Sequence, residues 1–199
     1  GNTAVFKPAK HGVLLITPLL QAFKECFPPG VVNILFGRVR KIAQPIMKTG
    51  HIDVLALIGH SSSAVALQDE HPNKNRLRLV LGLEAKNPGV ILPDADLDQV
   101  VDGLMGAGYG SAGERCMALS VAVAVGDVGD KLIEKLTPRV QSLKVGPGPD
   151  PEVEMGPVIS KQHLNKVRSY VDTGVEEGAQ LIVDGRPISL QGYENGYFI

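Results

Sequence analysis

The stretch GSAGERCMA, Gly110 to Ala118, carries one of only two cysteines in the 199-residue chain. A thiol has an ordinary pKa of about 8.5, so only a few per cent is nucleophilic thiolate at neutral pH. A neighbouring cation such as Arg115, on a loop running into an ordered segment, raises that fraction. Gly110 and Gly113 let the backbone approach a substrate closely and adopt positive φ. Taken alone, a lone cysteine is more often a packing residue, and Cys26 reads that way near the end of an apolar helix. Cys116 is the candidate nucleophile, and Arg115 the candidate contact for an anionic substrate or a partner for Glu114. The five histidines are scattered and make no ligand set with a cysteine, so no metal is expected.

A loop of this kind needs a folded frame, and the bulk numbers permit one. Composition is ordinary, with 44% apolar and 21% charged residues and a formal net charge of −1. Near-neutrality offers nothing to nucleic acid or an anionic membrane, so neither is expected as a partner. No run of about 18 apolar residues is present. Two cysteines without framework spacing predict free thiols and a cytoplasmic chain. An opening already in apolar alternation and a close at GYFI, which reads as the start of a strand, suggest a piece of a longer protein.

The pattern predicts alternating strands and helices. Residues 3–7 read as a strand, followed by an apolar helix to about Cys26 that Pro18 starts or kinks. A Pro-Gly turn feeds a β-branched strand at 31–35, and a helix over 39–49 is made irregular by Pro45. DVLALIG, 53–59, reads as a buried parallel strand, with a helix at 61–70 and a strand at 76–81. These alternations predict a parallel sheet covered on both faces. Beyond residue 83 the expectation is a strand at 89–92, a helix capped near Asp94 or Asp96, the cysteine loop and a strand at 120–125. A helix at 128–143 disturbed at Pro138, a Pro/Gly loop at 146–157, a helix at 160–177 and a strand at 180–183 complete it. The boundary falls near Leu83, giving domains 1–83 and 84–199.

Five segments in order resemble the aldehyde dehydrogenase superfamily: GNTAVFKPA, FPPGVVNILFG, LGLEAKNPGVILPDADLD, GSAGERCMA and VGPGPDPEVEMGPVIS. The first half is most similar to non-phosphorylating glyceraldehyde-3-phosphate dehydrogenases, the second to methylmalonate-semialdehyde dehydrogenases, which make an acyl-CoA. The resemblance implies an α/β fold, part of a Rossmann-type cofactor domain (1–83) followed by part of an α/β catalytic domain (84–199). It also implies NADP or NAD as cofactor, a small aldehyde as substrate, coenzyme A as a possible acyl acceptor, and a homo-oligomer in the complete protein.

Carried over by position, Cys116 is the nucleophile that forms a thiohemiacetal and then a thioester, and its N–H is one oxyanion donor. The family's second donor, an Asn side chain, lies before Gly1. Lys7 matches a lysine at the adenosine ribose. Lys10 stands where a ribose-binding Glu is common, which favours a 2′-phosphate and NADP. Gly59 and His60 form the strand-to-helix turn at the pyrophosphate, where free helix N–H groups receive anions. No GxGxxG is present. The family's Leu-Glu-Leu-Gly-Gly-Lys is replaced by Leu81-Gly82-Leu83-Glu84-Ala85-Lys86, so the usual general base is Gly82. A carboxylate returns at Glu84, about 7 Å further along a strand. Glu84 either serves as the base or lies in a turn. Three functions follow: oxidation to a carboxylic acid, CoA-acylating semialdehyde oxidation, or a non-catalytic fragment of the same fold.

Overall fold

Aliphatic and β-branched runs alternate with helix-forming segments along the first 84 residues, and they pair in parallel two by two, first with second and third with fourth. The computed structural model describes residues 1–199 and divides into two compact units, Gly1–Glu84 and Ala85–Ile199. In the first unit, β1 (Ala4–Phe6) pairs in parallel with β2 (Val32–Ile34), and β3 (Val54–Ile58) with β4 (Arg78–Gly82). The segment between β1 and β2 is broken: a 3-10 turn at Lys10–Gly12, then α1 (Val13–Ile16) and α2 (Leu19–Cys26), separated at Thr17-Pro18. That is the break the proline predicts. α3 (Val39–Lys48) runs through Pro45 without ending, and α4 (Ser61–Asp69) links β3 to β4.

The core of this unit is small. Met47, Leu67 and Leu77 are buried, with Ala43, Ile52, Leu55 and Leu57 packed against them. Leu55 and Leu57 share one face of β3, because side chains alternate along a strand. The other face is open: Val54 is 51% exposed, Ile58 89% and Val80 of β4 62%. The expectation of a fully buried β3 in a sheet covered on both faces is therefore corrected. An unbroken apolar run says that both faces are suited to burial, but whether a second layer lies over each depends on chain elsewhere.

The second unit opens with β5 (Asn87–Ile91), parallel to β6 (Leu119–Ala124), with a register shift at Asn87/Pro88. Between them run α5 (Leu97–Leu104), a π-helical turn at Met105–Tyr109 and a 3-10 turn at Gly110–Gly113. Asp96 caps α5, its carboxylate accepting from the N–H groups of Asp98 (3.0 Å) and Gln99 (3.3 Å). α6 (Val128–Gln141) carries Pro138 without breaking, and α7 (Lys161–Glu176) starts at a Ser160 cap. Ile91, Val101, Leu104, Met105, Val128 and Leu132 form the core between β5, α5 and α6.

Two expected strands are absent. Residues 180–183 and the terminal GYFI form no ladder. The terminus docks instead through buried Phe198 and through the Tyr197 carbonyl, which accepts the Val158 N–H at 2.9 Å. β-propensity describes a side chain's fit to a pleated surface, and no partner strand faces these residues in the chain. No helix is long and apolar enough to cross a membrane.

Candidate functional site

The loop before β6 is built by a sequence of changes in helical geometry. α5 widens into the π-helical turn and then tightens into the 3-10 turn. Within that tightening, Ser111 (φ 55°) and Ala112 (φ 53°) sit in the left-handed region, and Gly113 follows at φ 71°. Ser111 and Ala112 are the only non-glycine residues with positive φ in the chain. Each costs of the order of 1–2 kcal/mol against the ordinary helical region. Cys116 comes three residues after this turn and is exposed.

Neighbouring groups hold the loop in that shape. The Asn87 amide donates to the Cys116 carbonyl at 2.8 Å and to the Ala118 carbonyl at 3.1 Å, fastening the backbone on both sides of Met117. The Glu114 carboxylate accepts the Ile159 N–H at 3.2 Å and lies 3.4 Å from His163 Nε2. Tyr109, at the foot of the loop, packs against the core, and burial pushes its phenol pKa up. The two glycines act differently from each other. Gly113 needs its positive φ, and a Cβ there would also crowd the Gly108 carbonyl at 3.2 Å. Gly110 has φ −52°, so the expectation of a positive φ is corrected. Its small size matters instead, because a Cβ would lie 2.8 Å from Arg115 Nη1.

Arg115 therefore folds over Gly110, and Glu114 is engaged with Ile159 and His163 rather than with Arg115. The guanidinium beside Cys116 forms no ion pair within the chain. The reading of Cys26 as a packed core residue is also corrected. Cys26 is the last residue of α2 and its thiol is exposed, like that of Cys116. Both thiols are free, and what separates them is the backbone around them.

The other candidates lie in the first unit. Lys7, directly after β1, is half-buried, and its ammonium donates to the Pro8 carbonyl at 2.5 Å. Lys10 is exposed at the start of the 3-10 turn. Gly59 and His60 join β3 to α4: the Gly59 N–H donates to the Gly82 carbonyl at 3.0 Å, and His60 is the extended N-cap of α4. The His60 carbonyl accepts from the Ser63 and Ala64 N–H groups, but its imidazole caps nothing.

Glu84 belongs to this turn. Its carboxylate accepts the Ser61 N–H at 2.9 Å and so occupies the N-terminus of α4. Its pKa is lowered by its own backbone N–H first, then by the N–H and hydroxyl of Ser61, with a smaller part from His60. A depressed carboxylate is a weaker base.

The family model of the aldehyde dehydrogenase family matches residues 1–199. The chain belongs to the aldehyde dehydrogenase family. It is 40% identical over 201 residues to a malonate-semialdehyde dehydrogenase of Pseudomonas aeruginosa, covering 100% of this chain and 40% of that protein. A Drosophila melanogaster protein named as an acylating, mitochondrial methylmalonate-semialdehyde/malonate-semialdehyde dehydrogenase is 38% identical over 200 residues, covering 100% of this chain and 38% of that protein. An NAD complex described as a methylmalonate-semialdehyde dehydrogenase, from Sinorhizobium meliloti, superposes with a TM-score of 0.91 and 42% identity, covering 100% of this chain and 40% of that one. The α/β fold expected from the resemblance is thus the family's fold, and the chain spans about 40% of the length of the relatives it matches.

Asn87 was not singled out in the sequence, although a signal was present. It is an Asn directly before a strand Pro, whose missing N–H interrupts the ladder and leaves carbonyls for a side-chain donor.

Proposed function

We propose that this chain carries the nucleophile and part of the cofactor site of a CoA-acylating, NAD(P)-dependent semialdehyde dehydrogenase. The observation that carries the reading is the cysteine loop: an exposed thiol beyond a strained turn, with its backbone fastened by Asn87. Strain of this kind persists only where surrounding contacts over-determine it, and it gathers at functional sites.

The Cys116 thiolate attacks the aldehyde carbon, forming a C–S bond and an alkoxide. The Cys116 N–H donates to that alkoxide. The alkoxide re-forms the carbonyl as hydride leaves the same carbon, and the product is a thioester on Cys116. The nicotinamide, when bound, supplies the hydride acceptor. The thiolate of coenzyme A then attacks the acyl carbon and expels the Cys116 thiolate. Arg115, free of a carboxylate partner, receives the carboxylate of a semialdehyde substrate.

For the cofactor, α4 supplies an N-terminus already satisfied by an anion, the Glu84 carboxylate on the Ser61 N–H. A pyrophosphate oxygen at the Gly59-His60 turn is therefore received through an N–H other than that of Ser61, which the Glu84 carboxylate holds. Lys7 serves the adenosine ribose, and Lys10 a 2′-phosphate. Coenzyme A is favoured over water as acceptor because Glu84, the only carboxylate near the usual base position, is held as an ionised cap on α4. The relatives named as acylating support the same choice. The water reading requires Glu84 to leave Ser61.

The test is steady-state turnover of malonate semialdehyde by the complete protein, with NADP and with NAD, each with and without coenzyme A. Acyl-CoA formation that requires coenzyme A, at least as fast with NADP, is expected. Equal turnover without coenzyme A, giving free acid, overturns the acylating reading. A preference for NAD removes Lys10 from the cofactor site.

A further inference from the structure

We infer that Glu114 is a positioning residue for the Cys116 thiol, acting as a cross-tie between the nucleophile loop and the start of α7. The inference rests on the reading of Cys116 as nucleophile. Glu114 lies two residues before Cys116, and its partners Ile159 and His163 are 45 and 49 residues further along the chain. A tie of this reach is not local turn chemistry. It joins two segments whose spacing the backbone between them does not otherwise dictate.

The far end of the tie is a fixed point. Val158 is buried, and its N–H donates to the Tyr197 carbonyl at 2.9 Å. Ser160 caps α7, its hydroxyl accepting the His163 N–H at 3.2 Å. Ile159 stands between these two anchored residues, so its N–H points from a held backbone. The near end is the strained one. Ser111 and Ala112 pay for left-handed geometry and return to relaxed conformations unless outside contacts hold them. The Glu114 N–H closes a turn onto the Ser111 carbonyl at 3.1 Å, so a pull on Glu114 is transmitted to the strained pair. Asn87 holds the loop after Cys116 and Glu114 holds it before, which leaves the thiol between two fixed points.

Reach and charge can be separated. Glu114→Gln keeps the length and a carbonyl acceptor for the Ile159 N–H while losing the charge. Glu114→Asp keeps the charge and is one methylene short. The experiment is alkylation of the complete protein by iodoacetamide, with the rates at Cys116 and Cys26 read separately by peptide mass spectrometry. A tie predicts that Asp changes the Cys116 rate three-fold or more relative to Cys26, in either direction, while Gln stays within two-fold of the unaltered protein. A purely electrostatic role gives the reverse pattern, and general destabilisation moves both cysteines together. Either of these results, or no change in both variants, overturns the inference. The nucleophile reading fails separately, if Cys116 of the unaltered protein reacts no faster than Cys26.

Discussion

The loop before β6 and the turn before α4, proposed above as nucleophile and cofactor sites, both stand at the start of an element and are held in different ways. The first departs from ordinary backbone geometry at Ser111 and Ala112 and is fastened by the Asn87 side chain of β5 and by Glu114 reaching Ile159 and His163 at the start of α7. The second has ordinary geometry throughout. Gly59 does not need to be glycine for its φ, and a Cβ there would meet only the Leu57 side chain, at 3.9 Å. Its one long-range side-chain contact is Glu84 on Ser61, made by an exposed carboxylate. A nucleophile must be presented in one geometry, which justifies stored strain and several ties. An anion site at a helix N-terminus needs only free N–H groups, which the helix supplies without strain.

The comparison breaks most directly at the thiol itself. Cys116→Ala in the complete protein is expected to lower turnover by about 10³-fold or more, as loss of a nucleophile does. Cys26→Ala, at an equally exposed but unstrained site, is expected to leave most of the activity. Steady-state rates of the two variants decide this, and retained activity without Cys116 removes the nucleophile.

A smaller effect sharpens the role of the ties. Asn87→Ala removes two hydrogen bonds to the loop, and each is worth about 1 kcal/mol net. Stability should fall by about 1–2 kcal/mol in urea denaturation, and turnover by about ten-fold. A variant with unchanged turnover would mean that the loop keeps its shape without the clamp.

The smallest effect tests the other region. The folded pKa of Glu84 lies below its ordinary value of 4.5. Its contribution to stability is therefore fully present above the unfolded value and is lost as the pH falls through the folded one. Glu84→Gln should leave the chain slightly less stable near neutrality. That deficit should fade below about pH 4.5, as the native carboxyl also protonates. Urea midpoints of the two chains between pH 3 and pH 7 check the sign. A deficit that persists at pH 3 would mean that the carboxylate charge is not what caps α4.

Much of the element order was legible from short-range pattern, because capping, proline breaks and aliphatic alternation act within a few residues. The Pro18 break between α1 and α2 and the α5 start at Asp96 follow from those signals. The strands expected at 180–183 and at the terminus were not, because a ladder needs a partner as well as a propensity. Likewise, the aliphatic run of β3 marked a strand but not which faces would be covered.

By itself the sequence determined the family and the one cysteine set among glycines, since both are carried by residue identity in short contiguous segments. The tertiary structure alone decided what the charged and amide side chains around those segments do. Glu84 caps Ser61 from 23 residues away, Asn87 clamps a carbonyl 29 residues away, and Glu114 takes Ile159 and His163 in place of adjacent Arg115. Such pairings depend on which backbone groups remain unsatisfied once the strands and helices have packed, and on which of them a side chain of given length can reach.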